Sequence, residues 1–239
     1  MNPASIRPAS ALSGPELPAL LRGEAATVNA GVECWDGARV LRWSVVIIAG
    51  TALFGAAMGS WRDPLQALYT AIKLPLVLLL TTLGTAMLNA MFAPLLGVNI
   101  GFRQSLLAVW MSFTIAATIL GGFSPVLAFL VWNLPALETQ PSAHGVLLLS
   151  ETAMIACAGL AANLRLVQLL RRFSGSERAA RRVLVAWLAA NLLLGAQLSW
   201  NLRPFVGSPG LPVEFLRPDP FHSNFFEALF RVAKSLLSQ

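Results

Sequence analysis

The feature that most constrains this chain is a stretch without any charged residue, WSVVIIAGTALFGAAMGSW, which runs from Trp43 to Trp61. As a helix it would be roughly 27 Å long at 1.5 Å per residue, which matches a hydrocarbon core of about 30 Å. A tryptophan at each end suits the two interfaces of a bilayer, where amphipathic aromatic side chains are enriched. The stretch therefore predicts a first transmembrane helix.

Four further apolar stretches have the same character, and the set predicts an all-α fold: a polytopic integral membrane helical bundle with short interfacial helices. Only 12% of the residues are charged, about half of the fraction in soluble domains. The predicted transmembrane domain covers 41–202, between an amino-terminal tail (1–40) and a carboxyl-terminal segment (203–239). The five spans are about 43–61, 74–92, 105–132, 145–170 and 183–200.

Three local signals refine this outline. The tail is proline-rich and predicts a loose segment with room for a short helix near Pro15–Leu21 and another near the membrane. After the first span, Asp63 and Pro64 predict the cap and first position of a short interfacial helix over 62–73. In the third span, the sequence GGFSP at 121–125 predicts a kink or a loosened turn.

The basic residues predict the orientation of the bundle. Six arginines and one glutamate lie between residues 165 and 182, whereas the 133–144 connection has no lysine or arginine. Cytoplasmic loops carry an excess of lysine and arginine. We therefore expect the 165–182 region in the cytoplasm and the 133–144 connection outside. The amino terminus is then inside and the carboxyl terminus outside.

The net charge of +6 is concentrated in this one loop, so no nucleic-acid partner is expected. The arginines either serve only to set the topology or bind anionic lipid headgroups, at about 1 kcal/mol per basic residue. The headgroup candidates are Arg171, Arg172, Arg178, Arg181 and Arg182.

Glu151 is the leading polar candidate within a span, because an ionisable residue in a membrane is costly and often functional. His144 projects from nearly the same helical face, about 10 Å away along the axis. His222 lies on the same side of the membrane in the predicted topology. Glu151 could snorkel and pair with an arginine such as Arg203, form a structural ion pair or hydrogen-bond hub, or join both histidines in a metal or proton site.

Amides within the spans form a second group of candidates. Interhelical hydrogen bonds that lock the bundle are one interpretation, and a polar pathway is the other. These amides are Asn89, Asn163, Asn191 and Gln197. Small residues such as Gly55 and Gly59, four apart, permit close helix approach, either within the monomer or in a dimer.

The carboxyl-terminal segment begins with LSWNLRPFVGSPGLPVEFLRP at 198–218. Trp200 is the predicted interface anchor of the fifth span, and Pro204 ends its helix. An extended strap follows, and Asn224 with Glu227 three places on predicts the start of an amphipathic helix over 224–238. Residues of this segment that could dock on the bundle or on a partner are Trp200, Arg203, Phe205, Phe215, Phe226 and Phe230.

Motifs of common catalytic sites are absent: the sequence has no glycine-rich phosphate loop, His-Glu-x-x-His or Gly-x-Ser-x-Gly, and no pair of intramembrane aspartates. We therefore predict no catalytic residue, no metal site and no cofactor.

The stretch LLGVNIGFRQSLLAVWMSFTIAATILGGFSPV, residues 95–126, resembles the stretch of Gly, aromatic and Gln residues that leads into a proline-containing span in Yip-type (Ypt/Rab-interacting) membrane proteins. Five spans and a proline-containing cytoplasmic tail are also similar to that family. The Asp-Leu-Tyr-Gly-Pro stretch of its eukaryotic members is absent. The tail QLSWNLRPFVGSP resembles a W-x-LRPF-x-G tail of bacterial integral membrane proteins, which implies the bacterial inner membrane and no particular activity.

The leading hypothesis from sequence is a non-catalytic membrane scaffold or accessory subunit that docks through the strap and terminal helix. Its expected partners are the lipid bilayer and other membrane subunits or a second copy. The alternative is a small transporter or channel component with Glu151 and the span amides along its path. A third is an intramembrane enzyme that uses His144 and Glu151.

Overall fold

The structure, a computed structural model, describes residues 16–33, 35–98, 100–135, 141–173, 176–203, 212–216, 224, 226 and 227; of Pro141, Ser142 and His144 it describes only the backbone. Regular secondary structure within these ranges is entirely α-helical. The helices are α1 (Glu16–Arg22), α2 (Ala25–Glu33), α3 (Gly37–Gly59), α4 (Pro64–Leu95), α5 (Phe102–Asn133), α6 (Pro141–Phe173) and α7 (Glu177–Leu202). Five helices, α3 to α7, are long and apolar enough to cross a membrane, which confirms the predicted all-α membrane bundle.

Helix α4 differs from the sequence prediction. Asp63 caps it as expected, because its carboxylate accepts a hydrogen bond from the Leu65 N–H at 2.6 Å. The predicted separate interfacial helix over 62–73 is wrong, however, since α4 continues through Pro75 to Leu95. Proline removes only one backbone donor, and neighbouring helices compensate for that loss within a bundle. Residues 121–125 of α5 likewise remain helical.

Close backbone contacts join α3 to α4 and α5. A Cβ atom on Gly55 would lie 2.6 Å from the Thr70 carbonyl oxygen, and one on Gly59 would lie 2.6 Å from the Gln66 carbonyl oxygen. A Cβ atom on Gly50 would overlap the Ala117 carbonyl group of α5. The two glycines of the predicted small-residue motif therefore pack inside the monomer, against α4.

The outer helices attach to different members of this group. Helix α6 packs mainly on α5, whereas α7 packs mainly on α4. Contacts between α6 and α7 are fewer than either of these. The arrangement leaves space between α6 and α7 above the surface of α4 and α5.

Residues 16–33 are helical, so α1 confirms the short helix predicted near Pro15–Leu21, whereas a loose tail is wrong for these residues. They form α1 and α2, whose apolar residues Leu20, Val28 and Val32 are buried in the same core as Trp187 of α7. The apolar positions of two such short helices carry little signal on their own, because their burial depends on the bundle they cover.

Acidic and carbonyl groups of α1 and α2 bind several arginines of the bundle. Glu16 pairs with Arg39 at 3.2 Å and with Arg42 at 3.3 Å. Glu33 pairs with Arg172 at 2.5 Å. Arg165 donates to the Leu21 carbonyl oxygen at 2.8 Å. We refer to the end of the bundle that α1 and α2 cover as the basic end.

Gly50→Ala should lower the stability of the protein by about 1–3 kcal/mol, because its new methyl group has no room beside the Ala117 carbonyl. Gly122→Ala is the matched control, since a Cβ there meets no atom within 4 Å. Alanine favours helices by up to about 1 kcal/mol over glycine, so the control should be neutral or more stable. Thermal denaturation in detergent measures both, and equal midpoints would contradict the packing.

Candidate functional site

A cavity of about 520 Å³ lies where α4, α5, α6 and α7 meet. We call it the lateral cavity, because the exposed side chain of Leu192 lines it in the middle of α7 and it opens on the side of the bundle. Most of its wall is apolar. The polar residues in the wall are Thr81, Ser112, Asn163, Asn191 and Ser199.

Helical spacing explains why these residues meet. On α6, Ile155, Gly159 and Asn163 follow one another at intervals of four and share one face. On α7, Leu188, Asn191, Leu192, Gly195 and Ser199 follow at intervals that keep them together in the same way. Gly159 adds space, because no atom lies within 4 Å of the position its Cβ would take.

The structure thus brings together two amides that the sequence singled out separately. The side chain of Asn163 donates from Nδ2 to the Gly159 carbonyl oxygen at 2.8 Å. The Oδ1 atom of Asn191 is buried and has no hydrogen-bond partner within the described part of the chain, and the same holds for Oγ1 of Thr81. Buried polar atoms normally have partners, so both atoms are costly to bury at this position.

The other two amides lie elsewhere. Gln197 donates to Asn201 Oδ1 at 3.3 Å and does not line the lateral cavity. Asn89 is fully buried in α4, and its amide makes no hydrogen bond to the described residues. The four predicted amides therefore do not form one polar pathway.

Glu151 faces the interior of the bundle outside the lateral cavity. Its exposed fraction is 1%, and neither carboxylate oxygen has a hydrogen-bond partner among the described residues. The predicted snorkelling is therefore wrong. Arg203 lies instead over the ring of Trp200, with its guanidinium carbon 4.9 Å from the ring centroid.

The predicted metal or proton site has no support in the described ranges. They contain no group of three or more His, Cys, Asp or Glu side chains that could hold a metal ion. The His144 side chain and the whole of His222 lie outside what the structure describes.

Part of the strap packs on the bundle of its own chain. The ring of Phe215 meets that of Tyr69 edge-on, with 5.3 Å between centroids. The Lys73 ammonium group lies 5.0 Å from the Phe215 ring centroid and donates to the Glu214 carbonyl oxygen at 3.5 Å. Of the two possibilities for Phe215, the structure shows docking on the bundle.

The remaining docking candidates are only partly covered. Phe226 is exposed, and the Glu227 N–H donates to Asn224 Oδ1 at 2.8 Å, as expected for the predicted helix start. Helix α7 ends at Leu202, next to the predicted stop. Phe205, Phe230 and most of 224–238 lie outside the described residues.

The five arginines predicted as headgroup candidates do not lie in one site. Arg171, Arg178 and Arg181 line a second cavity of about 480 Å³, between the end of α6 and the start of α7. We call it the arginine pocket. Arg172 pairs with Glu33 instead, and Arg182 is exposed and does not line the pocket.

Sequence reasoning missed Thr81, Ser112 and Gly159 as members of a site. Thr81 had a usable signal, because it follows Lys73 by eight residues and precedes Thr85 by four, as on one buried face of α4. The buried polar residues of α4 are Gln66, Thr70, Lys73, Thr81, Thr82, Thr85 and Asn89. Ser112 and Gly159 carried no comparable pattern.

No protein-family model matches the chain, and no curated protein and no solved structure matches it either.

Glu151→Gln should raise the thermal unfolding midpoint in detergent at neutral pH. The reason is that a carboxylate costs more to bury without a partner than an amide does. Glu214→Gln is the control and should have little effect, because this side chain is exposed and only its backbone carbonyl contacts Lys73. A lower midpoint for Glu151→Gln would show that the carboxylate has a stabilising partner.

Proposed function

We propose that this chain is a small, non-catalytic membrane protein that binds an amphipathic molecule of the bilayer in the lateral cavity, as a carrier or transport component does. The proposal develops the transporter hypothesis from the sequence, with one change. Asn163 and Asn191 contribute to the site, whereas Glu151 has a structural position.

The lateral cavity is the single observation that carries this proposal. Sites for small molecules are concave and mostly apolar, with a few polar groups that orient the ligand. This cavity has these properties, and its volume falls within the usual range of roughly 300–1,000 Å³. Because it opens on the side of the bundle, a molecule can enter it from the membrane.

The orientation belongs to the same proposal. We place the basic end in the cytoplasm, the carboxyl terminus outside, and the protein in a bacterial inner membrane. The support is the distribution of arginines, which are concentrated where α6 ends and α7 begins. No part of the proposal depends on the resemblance to Yip-type proteins.

A scaffold or accessory subunit remains the second candidate, and one observation favours it. Over the most apolar 18 residues of each helix, the buried share is 22% in α6 and 17% in α7, compared with 44% in α5. Such exposed helices offer a surface to membrane partners. Phe215 already packs on its own bundle, so docking would use α6 and α7 rather than that part of the strap.

Copurification separates the two candidates. A scaffold should retain a stoichiometric membrane partner after mild detergent extraction without crosslinking. Isolation as a single monodisperse chain would contradict the scaffold.

Gly159→Leu should block the lateral cavity, because the leucine side chain would extend into the space its glycine leaves open. We expect the affinity for a spin-labelled phosphatidylcholine, measured by electron paramagnetic resonance in detergent, to fall by about tenfold or more.

Gly122→Leu is the matched control, since that glycine is exposed on α5, does not line the cavity and has no atom near its Cβ position. It should bind the lipid like the wild type. Equal affinities for Gly159→Leu and the wild type would contradict binding in the cavity.

A further inference from the structure

The arginine pocket has a composition suited to an anion that is attached to an apolar group. Three guanidinium groups and one carboxylate, that of Glu177, lie at its wall. The rest of the wall is apolar and includes Val167, Leu170 and Leu184.

The three pocket arginines also lack competing partners in the part of the chain that is described. Neither a salt bridge nor a side-chain hydrogen bond involves Arg171, Arg178 or Arg181 there. Other arginines of the basic end are bound to α1 and α2, as Arg165 and Arg172 show. The amino end of α7 adds partial positive charge next to the pocket.

The arginine pocket and the lateral cavity lie along the same two helices, α6 and α7. Val167 follows Asn163 by four residues on α6, and Leu184 precedes Leu188 by four on α7, so the two cavities use the same faces. From Arg181 to Asn191 the helix rises about 15 Å, which is half of a hydrocarbon core of about 30 Å. One lipid molecule could therefore contact both cavities.

We propose that the arginine pocket binds the phosphate of an anionic phospholipid, whose acyl chain lies between α6 and α7 and reaches the lateral cavity. This inference rests on the proposed function and names the class of its ligand. Arginine forms paired, charge-assisted hydrogen bonds with phosphate, and basic pockets between transmembrane helices at the cytoplasmic side suit such headgroups. A soluble phosphate compound would make no use of the apolar groove.

The test compares two double variants that remove the same charge. Arg178→Gln with Arg181→Gln changes the pocket, whereas Arg22→Gln with Arg103→Gln changes two exposed arginines on other helices. The full chain in neutral detergent is titrated with spin-labelled phosphatidylglycerol and, separately, with spin-labelled phosphatidylcholine. Thermal denaturation confirms that each variant is folded.

The pocket variant should bind phosphatidylglycerol about thirtyfold more weakly than the wild type. Its loss of affinity for phosphatidylcholine should be smaller, because the choline cation offsets the charge of that lipid's phosphate. The other double variant should bind both lipids like the wild type. Equal losses in the two variants would overturn the inference, because they would indicate general attraction between charges.

Further outcomes separate the inference from the proposed function. If the wild type binds both lipids equally, the inference fails while cavity binding stands. If Gly159→Leu leaves phosphatidylglycerol binding intact and the pocket variant reduces it, the headgroup site stands and the lateral cavity loses its role. If glycerol phosphate displaces the lipid at equal concentration, the ligand is a soluble phosphate and the lipid assignment fails.

Discussion

The close approach of α3 to α4 and α5 is the constraint on which the rest of the bundle depends. At Gly50, Gly55 and Gly59 a side chain would meet the backbone of the neighbouring helix, so these three helices form a tightly packed group. The outer helices then take separate supports, with α6 on α5 and α7 on α4. The lateral cavity is the space that this arrangement leaves, and it therefore depends on contacts far from its own wall.

The arginines of the basic end fall into two groups: some are bound by α1 and α2, and others line the arginine pocket. Helices α1 and α2 supply Glu16 and Glu33 to some arginines and a carbonyl oxygen to Arg165. Among the described residues, no residue of α1 or α2 lines the arginine pocket, and Glu177 is the one acidic residue at its wall. A headgroup site beside an apolar groove follows from the position of the two covering helices as much as from the arginines themselves.

The parts of the fold that depend on nearby residues in the sequence were predictable. Uncharged stretches of membrane length predict helices directly, and Asp63 followed by Pro64 predicts the start of α4. The continuity of α4 past Pro75 was not predictable in this way, because it depends on neighbouring helices. The burial of Leu20 in α1 likewise depends on the bundle.

The candidate site was predictable only in part. Asn163 and Asn191 are recognisable as amides within spans, but their meeting depends on how α6 and α7 pack on different helices. Glu151 is also recognisable from the sequence, but it does not belong to the site. Its position predicts a functional residue or a snorkelling one, whereas the packing of α6 buries it away from the cavity.

The most direct test of lipid binding between α6 and α7 is photocrosslinking in nanodiscs that contain a phosphatidylglycerol with a diazirine in its acyl chain. Mass spectrometry then locates the crosslinked residues. Binding in the lateral cavity predicts crosslinks concentrated at 155–163 of α6 and 188–195 of α7. Crosslinks spread evenly over the exposed faces of α3, α5 and α6, without enrichment at the cavity, would contradict the account.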